Sequence, residues 1–80
     1  MPYIKQEDRL PIPEMIPESA GDLNYLFTKL IQEYIDERGG LSYAIINEVV
    51  GVLECAKLEL YRRLAAPYED EKRELNGDVY

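Results

Sequence analysis

The residues best suited to chemistry lie in the second half of the chain, where bases, tyrosines and acids follow one another closely. They are Glu54, Lys57, Glu59, Tyr61, Arg62 and Arg63. Guanidinium groups bind phosphates through paired hydrogen bonds, and tyrosine rings offer faces for stacking. The cluster therefore fits a nucleotide or another small phosphorylated ligand. It also fits a solvated helix face with ordinary ion pairs, such as Glu59 with Arg63 four residues later.

Composition excludes most common catalytic arrangements. The chain has no histidine and one cysteine, Cys55, which rules out zinc sites of Cys and His, Ser-His-Asp triads, Cys-His dyads and intrachain disulfides. Sixteen acids make neighbouring carboxylates unavoidable, so such pairs carry no catalytic information. We expect a protein that is not an enzyme and needs no cofactor or metal, with Cys55 packed and inert among apolar neighbours.

Length and charge limit the number of domains and the kinds of partner that the protein can bind. Eighty residues predict a single small domain, 1–80. A net charge of −7 disfavours binding to duplex DNA or to anionic lipid. The first residues lack the apolar run of a signal peptide, and no stretch approaches the length of a membrane span. We therefore expect a cytoplasmic protein without a membrane or DNA duplex as partner.

The cluster must be positioned by helices that follow a proline-rich arm. Residues 1–20 hold four of the five prolines, which favours an extended path with single turns. A helix over 22–38 is predicted by apolar residues at i, i+3, i+4 and i+7 spacing: Leu23, Leu26, Phe27, Leu30, Ile31, Tyr34 and Ile35. Ser19 with Asp22 resembles a capping box, and Gly39-Gly40 suits the helix end.

A second, longer helix is predicted over 43–66. Ser42 is a good N-cap, and Pro67 is expected to end the helix because its ring clashes with the carbonyl four residues back. Gly51 inside this helix costs about 1 kcal/mol relative to alanine, which suggests close approach of another helix. A short helix over 67–75 and a tail over 76–80 complete the chain.

The fold class predicted is therefore all-α: a small helical hairpin with a long central helix, a proline-rich N-terminal arm and a short C-terminal helix. The apolar surface of the central helix is wider than one hairpin partner covers, so we expect assembly as a homo-oligomer. The alternative is a monomer in which the arm covers the remaining apolar stripe.

Further candidate ligand residues lie outside the central cluster: Tyr3, Arg9, Asn24, Tyr25 and Asn47. Each also fits a structural role, since tyrosines often lie at the boundary of a core with the hydroxyl hydrogen-bonded. The Asn47 amide needs a partner if it is buried in its otherwise apolar helix.

Several stretches resemble a small family of roughly 80-residue phage and bacterial proteins of unknown function. They are Met1-Pro2-Tyr3-Ile4, Gly21-Asp22-Leu23-Asn24-Tyr25, the segment 47–63 with Tyr61-Arg62-Arg63, Pro67-Tyr68-Glu69, and Asn76-Gly77-Asp78-Val79-Tyr80. The resemblance covers nearly the whole chain. In size and style the sequence is also similar to viral sponge proteins that sequester nucleotide immune signals, such as the cyclic dinucleotides of CBASS defence.

The second resemblance implies a homo-oligomer that encloses a nucleotide signal at subunit interfaces without cleaving it, as an anti-defence protein. It implies that Lys57, Arg62, Arg63 and Arg9 meet phosphates, that Tyr3, Tyr25 and Tyr61 stack on bases, and that Asn24 or Asn47 reads base edges. The alternative function is an acidic helical module that inhibits or scaffolds a host protein through residues such as Glu69, Asp70 and Glu71. The third alternative is a purely structural subunit, in which neither the basic cluster nor these acidic residues are needed for function.

Overall fold

Local capping signals set the start of the first helix, α1, which spans Ala20–Glu37 in a computed structural model that describes Tyr3, residues 5–8 and residues 16–80. The Ser19 hydroxyl accepts a hydrogen bond from the backbone N–H of Asp22 at 3.0 Å. The Asp22 carboxylate in turn accepts from the backbone N–H of Glu18 at 3.2 Å. The capping motif expected from Ser19 and Asp22 is therefore present, with the return bond reaching one residue further back.

The end of α1 is a glycine turn of the kind that the sequence predicts. Gly39 and Gly40 have φ values of +91° and +100°, a region that side chains with a Cβ rarely enter. Their N–H groups donate to the carbonyls of Asp36 and Ile35, which satisfies two of the last acceptors of the helix. The chain then enters α2, Tyr43–Leu60, where the Ser42 hydroxyl accepts from the N–H of Ile45 at 3.1 Å.

The helical path does not stop before Pro67, which differs from the predicted boundary at residue 66. A π-helical turn, Tyr61–Ala65, follows α2 directly, and α3 then spans Ala66–Asn76. Gly77, with φ of +88°, terminates α3. All regular elements among the described residues are helical, and one is the 3₁₀ turn Gln6–Asp8 of the arm. The all-α class is confirmed; the rest of the predicted arm, with Arg9, lies outside the described residues.

Contacts divide the chain into two compact units, one formed by Tyr3–Val49 and the other by Val50–Tyr80. In the first unit Ile45 is 6% exposed and is the one buried residue among all those described. In the second unit every apolar side chain of the helical path is exposed or half-buried. Among the described residues the buried core is therefore reduced to Ile45, and Cys55, expected to be packed, is exposed.

Two glycines allow a matched test of this arrangement. A Cβ added at Gly51 would meet nothing within 4 Å, so the close approach of another helix that the sequence suggested is not found within the described chain. We expect Gly51→Ala to raise the free energy of unfolding by about 1 kcal/mol, because alanine is the better helix former. Gly40→Ala should lower it by about 1–2 kcal/mol, because alanine is strained at positive φ.

Both variants are measured by urea denaturation followed by circular dichroism at one fixed protein concentration. Destabilisation by Gly51→Ala would contradict the open surroundings of Gly51 and place another chain against it.

Candidate binding site

Three of the predicted ligand residues, Tyr61, Arg62 and Arg63, lie on the π-helical turn Tyr61–Ala65. The turn exists because Pro67 follows it: proline has no N–H to donate, and its ring would clash with the carbonyl of Arg63 in a regular α-helix. The N–H of Ala66 instead donates to the carbonyl of Tyr61, five residues back. One-turn π segments are frequent at functional sites in other proteins.

Glu59 forms its ion pair with Arg62, whereas the sequence spacing suggested a pair with Arg63. The Arg62 Nε and Nη2 atoms donate to Glu59 at distances of 2.9–3.2 Å. The Glu59 side chain is only 15% exposed, whereas that of Arg62 is 63% exposed. A phosphate reaching Arg62 from solvent would therefore share the guanidinium with a carboxylate that is already bound.

Lys57 also has a carboxylate partner. Its Nζ atom lies 3.0 Å from Glu54 Oε1, and both side chains are more than half exposed. Exposed pairs of this type contribute at most about 1 kcal/mol, so an anionic ligand could displace the carboxylate at small cost. Two of the three bases of the 54–63 cluster, Lys57 and Arg62, are thus paired with carboxylates.

Arg63, the third base of the 54–63 cluster, forms no ion pair with any residue of the described ranges. It is exposed, and Tyr61, two positions before it, is 62% exposed. An exposed cation without an ion pair can bind a phosphate, and an accessible aromatic ring can stack on a planar base. Arg63 and Tyr61 are therefore the strongest ligand candidates that the structure retains from the sequence.

A cleft of about 580 Å³ next to this turn adds two bases, Lys72 and Arg73, that the sequence analysis did not select. Tyr61 lines it together with Lys72, Arg73, Asn76 and Tyr80, and with the acids Glu69, Asp70 and Asp78. Lys72 Nζ lies 5.5 Å from the centroid of the Tyr68 ring, and Arg73 pairs with Asp70 at 3.6 Å. The i, i+4 spacing of Tyr68 and Lys72 was the sequence signal that could have pointed to this surface.

The remaining predicted residues belong to the Tyr3–Val49 unit, apart from Arg9, which is outside the described residues. Tyr3, Asn24, Tyr25 and Asn47 are all exposed. Asn24 Oδ1 accepts from the Thr28 hydroxyl at 3.1 Å, and Lys29 Nζ lies 5.8 Å from the Tyr25 ring centroid. The buried environment considered for Asn47 is not found in the single chain.

A polar cluster that the sequence analysis missed joins α1 to the start of α2. The Arg38 guanidinium carbon lies 3.6 Å from the centroid of the Tyr34 ring, a stacking arrangement between residues four apart. The Tyr34 hydroxyl donates a hydrogen bond to the Glu48 carboxylate. This bond raises the pKa of Tyr34 above its usual value, with desolvation adding to the rise and Arg38 opposing it.

The chain belongs to the family of the domain of unknown function DUF6899. The family model matches residues 1–79, nearly the whole chain, as the sequence resemblance implied. No curated protein and no solved structure matches this DUF6899 chain. Among the described residues, no group of acids and cysteine is arranged to hold a metal ion, and no helix is both long and apolar enough to cross a membrane.

The Tyr34–Glu48 bond predicts a shifted titration. Because the neutral phenol is the form that donates, the stabilisation is present at neutral pH and is lost as the pH rises above about 10 through the raised pKa of Tyr34. We expect Glu48→Gln to lower the pKa of Tyr34, measured by NMR titration of its ring signals. Glu33→Gln on α1 is the matched control and should leave it unchanged. An unaltered pKa of Tyr34 in Glu48→Gln would contradict the bond.

Proposed function

We propose that this DUF6899 protein is a non-catalytic binding protein that sequesters a small nucleotide signal of the cyclic dinucleotide class. It would act as a phage anti-defence sponge in the host cytoplasm, as a homo-oligomer that holds the signal without cleaving it. The observation that carries the proposal is the exposed π-helical turn, which presents Tyr61, Arg62 and Arg63 at consecutive accessible positions.

The distribution of charge supports an anion site in this part of the chain. Residues 50–80 contain five basic and seven acidic side chains, a net charge of −2, whereas residues 1–49 contain four basic and nine acidic ones, a net charge of −5. An acidic protein that captures a dianion must place its bases close together and away from most of its acids. The segment around the π-helical turn meets this need better than the rest of the chain.

The roles of individual residues follow from their present partners. Arg63 would meet a phosphate first, because no described carboxylate occupies it. Arg62 would add a second contact while Glu59 holds its guanidinium in place. Tyr61 would stack on a base, and the neighbouring Lys57 would join by exchanging Glu54 for a phosphate oxygen.

The first test is thermal unfolding of the full chain with cyclic dinucleotides, cyclic trinucleotides and ADP-ribose derivatives. A ligand at 100 times its dissociation constant stabilises the folded state by about 2.7 kcal/mol. We expect a cyclic dinucleotide to raise the melting temperature, and chromatography of the heat-released ligand to show it intact. A cleaved ligand would contradict sequestration, and no shift with any compound would contradict nucleotide binding.

The second test asks whether nucleotide binding needs Arg63 itself or only the positive charge that the chain carries. Arg63→Ala should weaken binding of the active nucleotide by at least tenfold in calorimetry, because the free guanidinium is the main phosphate donor. Lys29→Ala removes one exposed positive charge from α1 and should bind as the natural chain does. Equal binding by both variants, with retained helical circular dichroism, would remove Arg63 from the site.

The second candidate function is an acidic module that docks on a basic host protein. It is favoured by the exposed carboxylates Glu69, Glu71 and Glu74 of α3, none of which forms an ion pair within the described ranges. Under this function, Glu69→Gln with Glu71→Gln would impair the protein's effect in cells, and the Arg63→Ala variant would remain active.

A further inference from the structure

The π-helical turn has a consequence for the apolar residues on both sides of it. Leu53, Ala56 and Leu60 have the 3–4 spacing of a heptad seam, and Leu64, Tyr68 and Leu75 follow at steps of four, four and seven. In an unbroken α-helix, each step of four advances about 40° beyond a full turn. Leu64 would therefore lie about 40° and Tyr68 about 80° away from Leu60 around the helix axis.

The turn offsets this rotation. Its hydrogen bond from Ala66 to Tyr61 spans five residues, one more than an α-helical bond. One added residue displaces every later position by about 100° in the opposite sense. The spacing of eight between Leu60 and Tyr68 then acts as one heptad plus the inserted residue, and Leu75 follows one heptad later. The apolar seam, defined as these six residues, thus stays on one side of the helical path.

The apolar seam has no cover within the described chain. Leu53 is 42% exposed, and the exposed fractions of Leu60, Leu64, Tyr68 and Leu75 lie between 58% and 69%. We infer that the apolar seam is the contact through which a second copy of this chain packs, and that Pro67 and the π-helical turn keep it in phase. This inference rests on the homo-oligomer in the proposed function and names its surface.

The spacing of the apolar seam fits a second copy better than a short peptide. Heptad spacing is itself the pattern by which identical helices pair, and residues 50–80 carry little of the net charge that would repel a second copy.

The test is sedimentation velocity of the full chain from about 1 to 200 μM, with two substitutions of similar exposure. Leu60→Lys lies in the apolar seam and Leu58→Lys lies outside it, at 59% and 57% exposed. We expect the natural chain and Leu58→Lys to form the same oligomer, and Leu60→Lys to associate at least tenfold more weakly. If Leu60→Lys loses its helical circular dichroism, Leu60→Ala replaces it with the same expected direction.

A second pair of variants tests the phase of the apolar seam. Pro67→Ala restores the missing N–H, so the π-helical turn can revert to α-helix and Tyr68 and Leu75 rotate out of line. We expect at least tenfold weaker association with unchanged helicity, whereas Pro17→Ala, outside the helices, should have no effect. Association of Pro67→Ala equal to that of Pro17→Ala would overturn the role of the turn.

The outcomes separate this inference from the binding proposal. A natural chain that stays monomeric but is stabilised by a nucleotide overturns the apolar seam as a self-association surface and leaves the ligand proposal standing. Equal weakening by Leu58→Lys and Leu60→Lys overturns the location of the surface. An oligomer that no nucleotide stabilises supports the seam and contradicts the ligand proposal alone.

Discussion

Proline at position 67 is the constraint on which the second half of the molecule depends. It has no N–H for the carbonyl of Arg63, and the helical path continues past it only because a π-helical turn, Tyr61–Ala65, changes the hydrogen-bond register. One covalent feature therefore shifts every position of α3 relative to α2. The same turn holds the residues that we propose to bind phosphate and keeps the apolar seam continuous.

The second constraint is the shortage of buried surface. Ile45 is the one buried residue among those described, and most large apolar side chains of the helices are exposed. Folding must offset a conformational entropy cost of about 1–2 kcal/mol per residue, which capping bonds alone do not supply. In the proposed homo-oligomer, burial between chains would supply it, and the stability of the fold would then depend on self-association. A ligand bound beside the apolar seam would then act on an assembled surface.

Charge and stacking place the polar residues in two different roles. In the first unit, Arg38 stacks on Tyr34, and the hydrogen bond to Glu48 raises the pKa of Tyr34, so these three side chains satisfy one another. Near the π-helical turn, Glu59 holds Arg62, and Arg63 is left without a carboxylate among the described residues. An arginine paired to a carboxylate is oriented, and an unpaired one has donors for an anion.

The sequence by itself determined the local features of this protein. Ser19, Ser42 and the pair Gly39-Gly40 predicted the helix ends, and the apolar spacing predicted α1, because caps and periodicity depend on residues within one or two turns. Only the tertiary structure decided that the helical path continues past Pro67 through a π-helical turn, that Glu59 pairs with Arg62, and that Cys55 is exposed. These features depend on alternative hydrogen-bond registers and on which surfaces find a partner, and the spacing of residues alone allows more than one outcome.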